Sequence, residues 1–214
     1  MIVENVSNTI VGVILAGGLA SRMGGGDKSL KSLGEKTILE HVIDRLSPQV
    51  TRVVLNANGD PQRFSKFKIP VIHDQTDRFL GPLAGVLSGL DWANDNGFNQ
   101  IVTVAADTPF FPMSLVKTLC DSLSNSDSQI ALAASNGKDS KKIIRHPTFG
   151  LWPVSLRNNL RDSLNLGVRK VVTWTELHGH VDVLFKLDVE DPFFNVNTYE
   201  DLDIAKRRIN LEAK

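Results

Sequence analysis

The stretch from Val11 to Lys28, VGVILAGGLASRMGGGDK, limits what this chain can fold into more than any other. It opens on Val11-Gly12-Val13-Ile14-Leu15, an apolar run short enough for a buried strand. Ala16-Gly17-Gly18 then strips away side-chain bulk as the strand ends, and Arg22, Gly24-Gly25-Gly26, Asp27 and Lys28 follow. Glycines let backbone N–H groups approach a ligand closely and adopt positive φ, and a concave run of such groups binds anions. With Arg22 and Lys28 beside it, the segment reads as a loop that wraps a triphosphate. The plainer alternative is a glycine-rich surface turn carrying solvated charges. Two better-known phosphate motifs do not fit. A Walker A loop needs Gly directly before its Lys, and Asp27 stands there. A dinucleotide fingerprint needs G-x-G-x-x-G straight after the strand, and Gly17-Gly18 is not followed by Gly at that spacing.

Beyond the loop, apolar runs alternate with helical periodicity. The spacing predicts a helix over 35–47 (Ile38, Leu39, Val42, Ile43, Leu46), with Pro48 just past it. Strands are expected at 52–55, 69–72, 101–105, 130–134 and 181–185. Helices are expected at 83–90 after Gly81-Pro82, at 115–123 and at 155–165, with a short one over 169–174. A final helix should follow Thr198 as N-cap. Residues 140–153 read as strand with a bend at Pro147. This alternation predicts an α/β fold with a mostly parallel sheet covered on both faces. Ligands of such sheets bind outside the carboxyl ends of the strands, so Gly17, Asn56, Asp74 and Asp107, each just after a strand, are expected to converge on one rim.

Composition closes off other classes. The 214 residues suggest one domain spanning 1–214. Acidic and basic residues balance at 24 each, so bulk charge points to no nucleic-acid or membrane partner. A lone Cys120, expected to be buried on a helix, excludes an internal disulfide and a cysteine zinc site. No apolar stretch approaches ~20 residues, so no membrane span is expected. The first residues lack the pattern of a secretory leader, which makes the cytoplasm the expected location.

Asp107 is the sharpest single candidate for chemistry. It follows the most apolar strand and precedes Thr108-Pro109. A carboxylate there either holds Mg²⁺ against phosphate oxygens or caps the following turn. Lys28 would neutralise phosphate as a mobile point charge, and Arg22 can grip two oxygens at once.

The pattern L-A-G-G-x-x-x-R-M-G-x-x-D-K, together with Gly81-Pro82-Leu83-Ala84-Gly85, Ala106-Asp107-Thr108-Pro109-Phe110, His146-Pro147 and Phe194-Asn195-Val196-Asn197-Thr198, resembles the molybdenum cofactor guanylyltransferases. The departure is Ala106, where the family commonly has Cys. The resemblance runs from Val11 to the final helix, densest before Pro109. It implies a three-layer, Rossmann-like nucleotidyltransferase fold of the nucleotide-diphospho-sugar transferase type. A nucleotide-binding half would occupy about 10–110 and an acceptor half about 111–210. It also implies transfer of GMP from GTP to the phosphate of molybdopterin-bound molybdenum, with release of pyrophosphate and Mg²⁺ as cofactor. Cofactor-biosynthesis or molybdoenzyme-maturation proteins would be the partners.

Under the resemblance, nucleotide contacts fall on Leu15, Ala16, Gly17, Gly18, Lys28, Asn56, Asp74, Gly81 and Asp107, with Asp107 as metal ligand and Arg22, Lys28 and Asp107 as the catalytic set. Asn56 and Asp74 would read base and ribose, although both side chains are equally at home in Asx-turns or helix caps. Arg145, His146, Arg169, Lys170, Asn195 and Asn197 would bind the acceptor. The rival readings are a cytidylyltransferase for the same cofactor, a transferase for another phosphorylated metabolite, and a GTP-binding partner without catalysis.

Overall fold

The structure, a computed structural model, describes residues 10–17, 27–75, 81–137, 142–186 and 190–212. Nine strands and six α-helices are defined among them. Strand β1 (Ile10–Leu15) is wholly buried. It lies between β4 (Arg52–Asn56) and β6 (Gln100–Ala105), parallel to both. Strand β5 (Val71–Ile72) extends the parallel run beyond β4. On the other side come β8 (Ile143–Pro153), β7 (Ile130–Asn136) and β9 (His180–Phe185), giving the order β5-β4-β1-β6-β8-β7-β9. Only β8 runs against the rest, antiparallel to both β6 and β7. Two short strands, β2 (Ser32–Leu33) and β3 (Lys36–Thr37), pair separately.

Alternation along β1 builds two cores. Ile10 and Ile14 face one side, with helices α1 (Ile38–Leu46) and α3 (Leu115–Ser124); Val11, Val13 and Leu15 face the other, with α2 (Pro82–Asp95), α4 (Arg157–Asn165) and α5 (Val171–His178). A sheet covered on both faces needs apolar residues at successive positions, which is why β1 and β6 read as mainly apolar runs, broken in β6 only by Gln100 and Thr103. A third cluster, Leu33, Ile38, Phe110, Val196, Leu202 and Ala205, seats the last helix, α6 (Tyr199–Glu212).

Helix α1 begins at Ile38 rather than 35. Thr37 caps it and Glu40 reaches back to the Thr37 N–H, while Lys36-Thr37 pairs as strand. Helix α2 continues to Asp95, past the expected 90. The third strand shrinks to Val71–Ile72. Thr198 does cap the final helix, accepting from the Asp201 N–H while the Asp201 carboxylate accepts from the Thr198 N–H. Pairing of β7 with β8 shifts register between Leu132 and Ala134, opposite the segment holding Pro147; a residue without an N–H cannot keep that ladder. Cys120 lies on α3 but is only partly buried. Burial raises its thiol pKa.

Candidate active site

Parallel pairing of β4, β1 and β6 sets their carboxyl ends side by side. Leu15 is in register with Asn56 on one side and Ala105 on the other. The chain then crosses between neighbours, the Ala16 N–H donating to the Asn56 carbonyl (2.8 Å) and the Ala106 N–H to the Leu15 carbonyl (3.1 Å). Gly17, with open space where a Cβ would stand, follows directly. Gly18, Arg22 and the triple glycine lie outside the described residues.

Lys28, which opens a 3-10 turn at Lys28–Leu30, reaches back over this edge. Its Nζ donates to Asp107 Oδ2 at 2.5 Å and to Asn197 Oδ1 at 2.6 Å. Residues 79 and 169 positions apart thus meet at one ammonium group. Asp107 is fixed from behind. Thr108 Oγ1 lies within hydrogen-bond distance of Asp107 Oδ1 (3.1 Å) and of Asn195 Oδ1 (2.5 Å), its single proton shared between them, and the Asp107 carbonyl accepts the Val196 N–H (2.9 Å). About a fifth of the Lys28 side chain and a quarter of that of Asp107 remain exposed, so an incoming anion can reach both.

A second cluster forms one strand over. Asn56 Nδ2 donates to Asp74 Oδ1 (3.0 Å) and Asn58 Nδ2 to Asp74 Oδ2 (2.9 Å), while the Asp74 N–H donates to Asn58 Oδ1 (2.9 Å). The carboxylate is thereby held in place with part of its acceptor capacity open to solvent. Asn56 itself is buried beneath α2, where Gly85 makes room for it: a Cβ there would collide with Asn56 Oδ1 and stand 2.8 Å from Leu15 Cδ2. Gly81, ahead of α2, has φ +72°, a conformation that favours glycine.

The residues expected to bind an acceptor do not form one group. Asn195 and Asn197 belong to the Asp107 cluster. His146 hydrogen-bonds Ser135 Oγ (2.8 Å) and stacks on Phe193 with centroids 4.1 Å apart. Burial holds its pKa below the usual histidine value, with Asp191 opposing more weakly, so the ring is neutral near pH 7. His146, Arg145, Phe193 and Asn195 line an open cleft of about 380 Å³ next to the Asp107 cluster. The Arg145 guanidinium is already engaged by Asp182 (2.9 and 3.0 Å) and Glu176 (3.4 Å). Arg169 is elsewhere, bonded to the Leu164 and Val168 carbonyls with its own carbonyl 3.5 Å from where a Gly81 Cβ would be. Lys170 precedes α5 as its N-cap residue. Sequence reasoning assigned no role to Asn58 or Thr108. The Asn56-Ala57-Asn58 spacing, which puts two amides at one strand end, was the available signal for the first; adjacency to Asp107 was the signal for the second.

Among the described residues no three His, Cys, Asp or Glu side chains form a metal-binding group. Mg²⁺ commonly takes one or two carboxylates and completes its shell with phosphate and water. The partly open, hard-oxygen Asp107 carboxylate suits that arrangement.

Comparisons with known proteins agree with one another. The profile of the MobA-like NTP transferase domain matches residues 12–181. A molybdenum cofactor guanylyltransferase of Bradyrhizobium sp. is 44% identical over 99% of this chain and 98% of its own. One of Haemophilus influenzae is 39% identical over 91% and 96%. Among solved structures, the molybdopterin-guanine dinucleotide biosynthesis protein A of Archaeoglobus fulgidus superimposes with a TM-score of 0.71 at 22% identity, covering 94% of this chain and 98% of its own. The 4-diphosphocytidyl-2C-methyl-D-erythritol synthase of Anaerococcus prevotii gives 0.71 at 16% identity, over 96% and 97%. At these identities the two structures establish the fold alone, that of the nucleotidyltransferases.

Proposed function

Since the chain belongs to the MobA-like NTP transferase family, and its curated relatives carry the same name over nearly its full length, we propose that it transfers GMP from GTP to the terminal phosphate of molybdenum-bound molybdopterin, releasing pyrophosphate. The observation that carries the mechanism is the meeting of Lys28, Asp107 and Asn197 at the carboxyl edge of β1 and β6. An acceptor phosphate monoester is largely ionised at neutral pH, so neither a protein nucleophile nor a dedicated base is needed. Its oxygen attacks the α-phosphorus, the new P–O bond forms opposite the breaking one, and the electron pair leaves with pyrophosphate. The protein contributes position and charge.

In this reading the Gly17 backbone and the loop after it hold the β- and γ-phosphates. Lys28 turns from Asp107 to a phosphate oxygen as the nucleotide enters, and Arg22 shares the task. Asp107 holds Mg²⁺, which when bound spreads the negative charge of the triphosphate. Asp74, fixed by Asn56 and Asn58, accepts hydrogen bonds from the guanine edge or the ribose. The neutral His146 ring and the cleft beside Phe193 take the flat acceptor, and Arg145 reaches its phosphate only by leaving Asp182. Molybdoenzyme-maturation proteins receive the product.

A nucleotide panel tests the assignment. Pyrophosphate release should occur with GTP and require molybdenum-loaded molybdopterin. Turnover with CTP instead would make the chain a cytidylyltransferase. GTP binding with no pyrophosphate under any acceptor would leave it a binding partner without catalysis.

A further inference from the structure

Arg63, which none of the motifs above contains, sits between the two halves of the nucleotide site. It belongs to a 3-10 helix, Pro61–Phe67, entered immediately after the loop that carries Asn58. Its guanidinium Nη2 donates to the Asn58 carbonyl (2.5 Å) and Nη1 to the Asp60 carbonyl (2.6 Å). Its Nε is buried and makes an ion pair with the Asp27 carboxylate, a charge contact rather than a hydrogen bond. The plane of the head lies over the buried Phe64 ring, 4.6 Å from its centroid. Gly59, at φ +85°, leaves it room: a Cβ there would stand 3.1 Å from Nη1.

Asp27 is equally telling. It occupies the N-cap position of the Lys28–Leu30 turn, a role aspartate fills well, yet its side chain makes no capping bond. The carboxylate is turned to Arg63 instead. Arg63 therefore ties the residue directly before Lys28 to the backbone of Asn58, whose side chain in turn fixes Asp74. A planar guanidinium offers its donors in a rigid fork and so joins two segments in one fixed geometry, whereas an ammonium group on a flexible stem fixes the angle less tightly.

We infer that Arg63 is a positioning residue that locks the phosphate-side strap at Asp27–Lys28 to the base-side clamp at Asn58–Asp74, so that GTP meets both preset. This rests on the nucleotide reading given above. Such a brace acts on binding and leaves the chemical step alone.

The test is steady-state kinetics of pyrophosphate release, with GTP affinity by calorimetry, on Arg63→Gln, Arg63→Lys, Asp27→Asn and the double variant R63Q/D27N. Removing a charge-assisted contact should raise both KM and Kd for GTP about tenfold, with kcat within about twofold. Arg63→Lys should recover part of the loss, Asp27→Asn should match Arg63→Gln, and the double variant should be no weaker than the poorer single one. A purely structural role would lower the active fraction, and with it kcat, without moving KM. An unchanged KM in folded Arg63→Gln, or additive losses in the double variant, would overturn the inference. Should Arg63→Gln fail to fold, Arg63→Lys and Asp27→Asn still decide it. Lys28→Ala separates the two levels. If it binds GTP as the parent does, the nucleotide reading itself is wrong; if it is weakened while Arg63→Gln is not, only the brace falls.

Discussion

Three side chains carry the proposed chemistry, and each is held by neighbours, of which Thr108 and Asn58 are ones that sequence alone does not flag. Asp107 keeps its direction through Thr108 and, behind it, Asn195. Lys28 rests on Asp107 and Asn197. Asp74 is gripped by Asn56 and Asn58. At pH 7 Asp107→Asn keeps shape but removes charge, so turnover should drop about 10²- to 10³-fold. The thermal midpoint should stay within a few degrees of the parent, because the side chain is a quarter exposed. Near-parent turnover in the folded variant would remove Asp107 from the mechanism. Lys28→Ala should weaken GTP binding about ten- to a hundredfold by calorimetry, the scale of a charge-assisted hydrogen bond lost to a phosphate. Asp107 and Lys28 were legible because each follows an apolar strand or a glycine tract within a dense motif. Asn197 was legible as a motif residue, but its partner was not, since a 169-residue separation leaves no local trace.

The elements place these residues, and their legibility varied with the range of the forces that define them. Strands β1 and β6 announce themselves because both faces are buried and nearly every position is apolar, the buried Thr103 of β6 being paired with the Trp152 indole N–H. Helix α1 announces itself through Ile38, Leu39, Val42 and Leu46, all at 0% exposure on one face. The antiparallel insertion of β8 between β6 and β7 could not be read. Its pattern fixes a strand, whereas its neighbours are chosen by long-range pairing. The Pro61–Phe67 turn escaped because seven residues with one buried Phe64 carry no clear period. Helix α2 shows how an element tunes the site. Gly85 gives Asn56 its space, so Gly85→Ala must push either the amide or Leu15 aside. The expected cost is about 1–3 kcal/mol in urea unfolding, with a raised KM for GTP as the Asn56–Asp74 pair is disturbed. Parent-like stability and KM together would mean that the close approach of helix and strand end is not needed.

At the scale of the molecule, a two-faced sheet brings a strap from the N-terminal third, a carboxylate from the middle and an asparagine from the C-terminal third to one edge, while the cleft beside Phe193 opens next to them. The fold also sets a pH response. Burial keeps His146 below its ordinary value of 6.5, so on acidification the unfolded chain takes up a proton before the folded one does. Stability therefore falls as pH drops below the ordinary value toward the folded one. Glu40, lowered from 4.5 chiefly by the Thr37 backbone N–H, adds stability that is present above that value and lost as pH falls through the folded pKa. Urea midpoints should decline in two stages, and His146→Gln should flatten the upper one; an unchanged upper stage would place the titration elsewhere. The convergence of strand ends was readable in advance, because parallel strands share a direction; the split of the acceptor candidates was not, because Arg145 is claimed by a carboxylate 37 positions on, and Arg169 folds back onto the carbonyls of its own local turn, which no spacing announces. The central claim is that bond-making occurs at the α-phosphorus of GTP. Parallel reactions with GTP labelled at the α- or the γ-phosphate, each with molybdenum-loaded molybdopterin, test it directly. Label should enter the pterin product from the α-position alone, with γ-label leaving in pyrophosphate; γ-label on the pterin, or label from neither position, would contradict it.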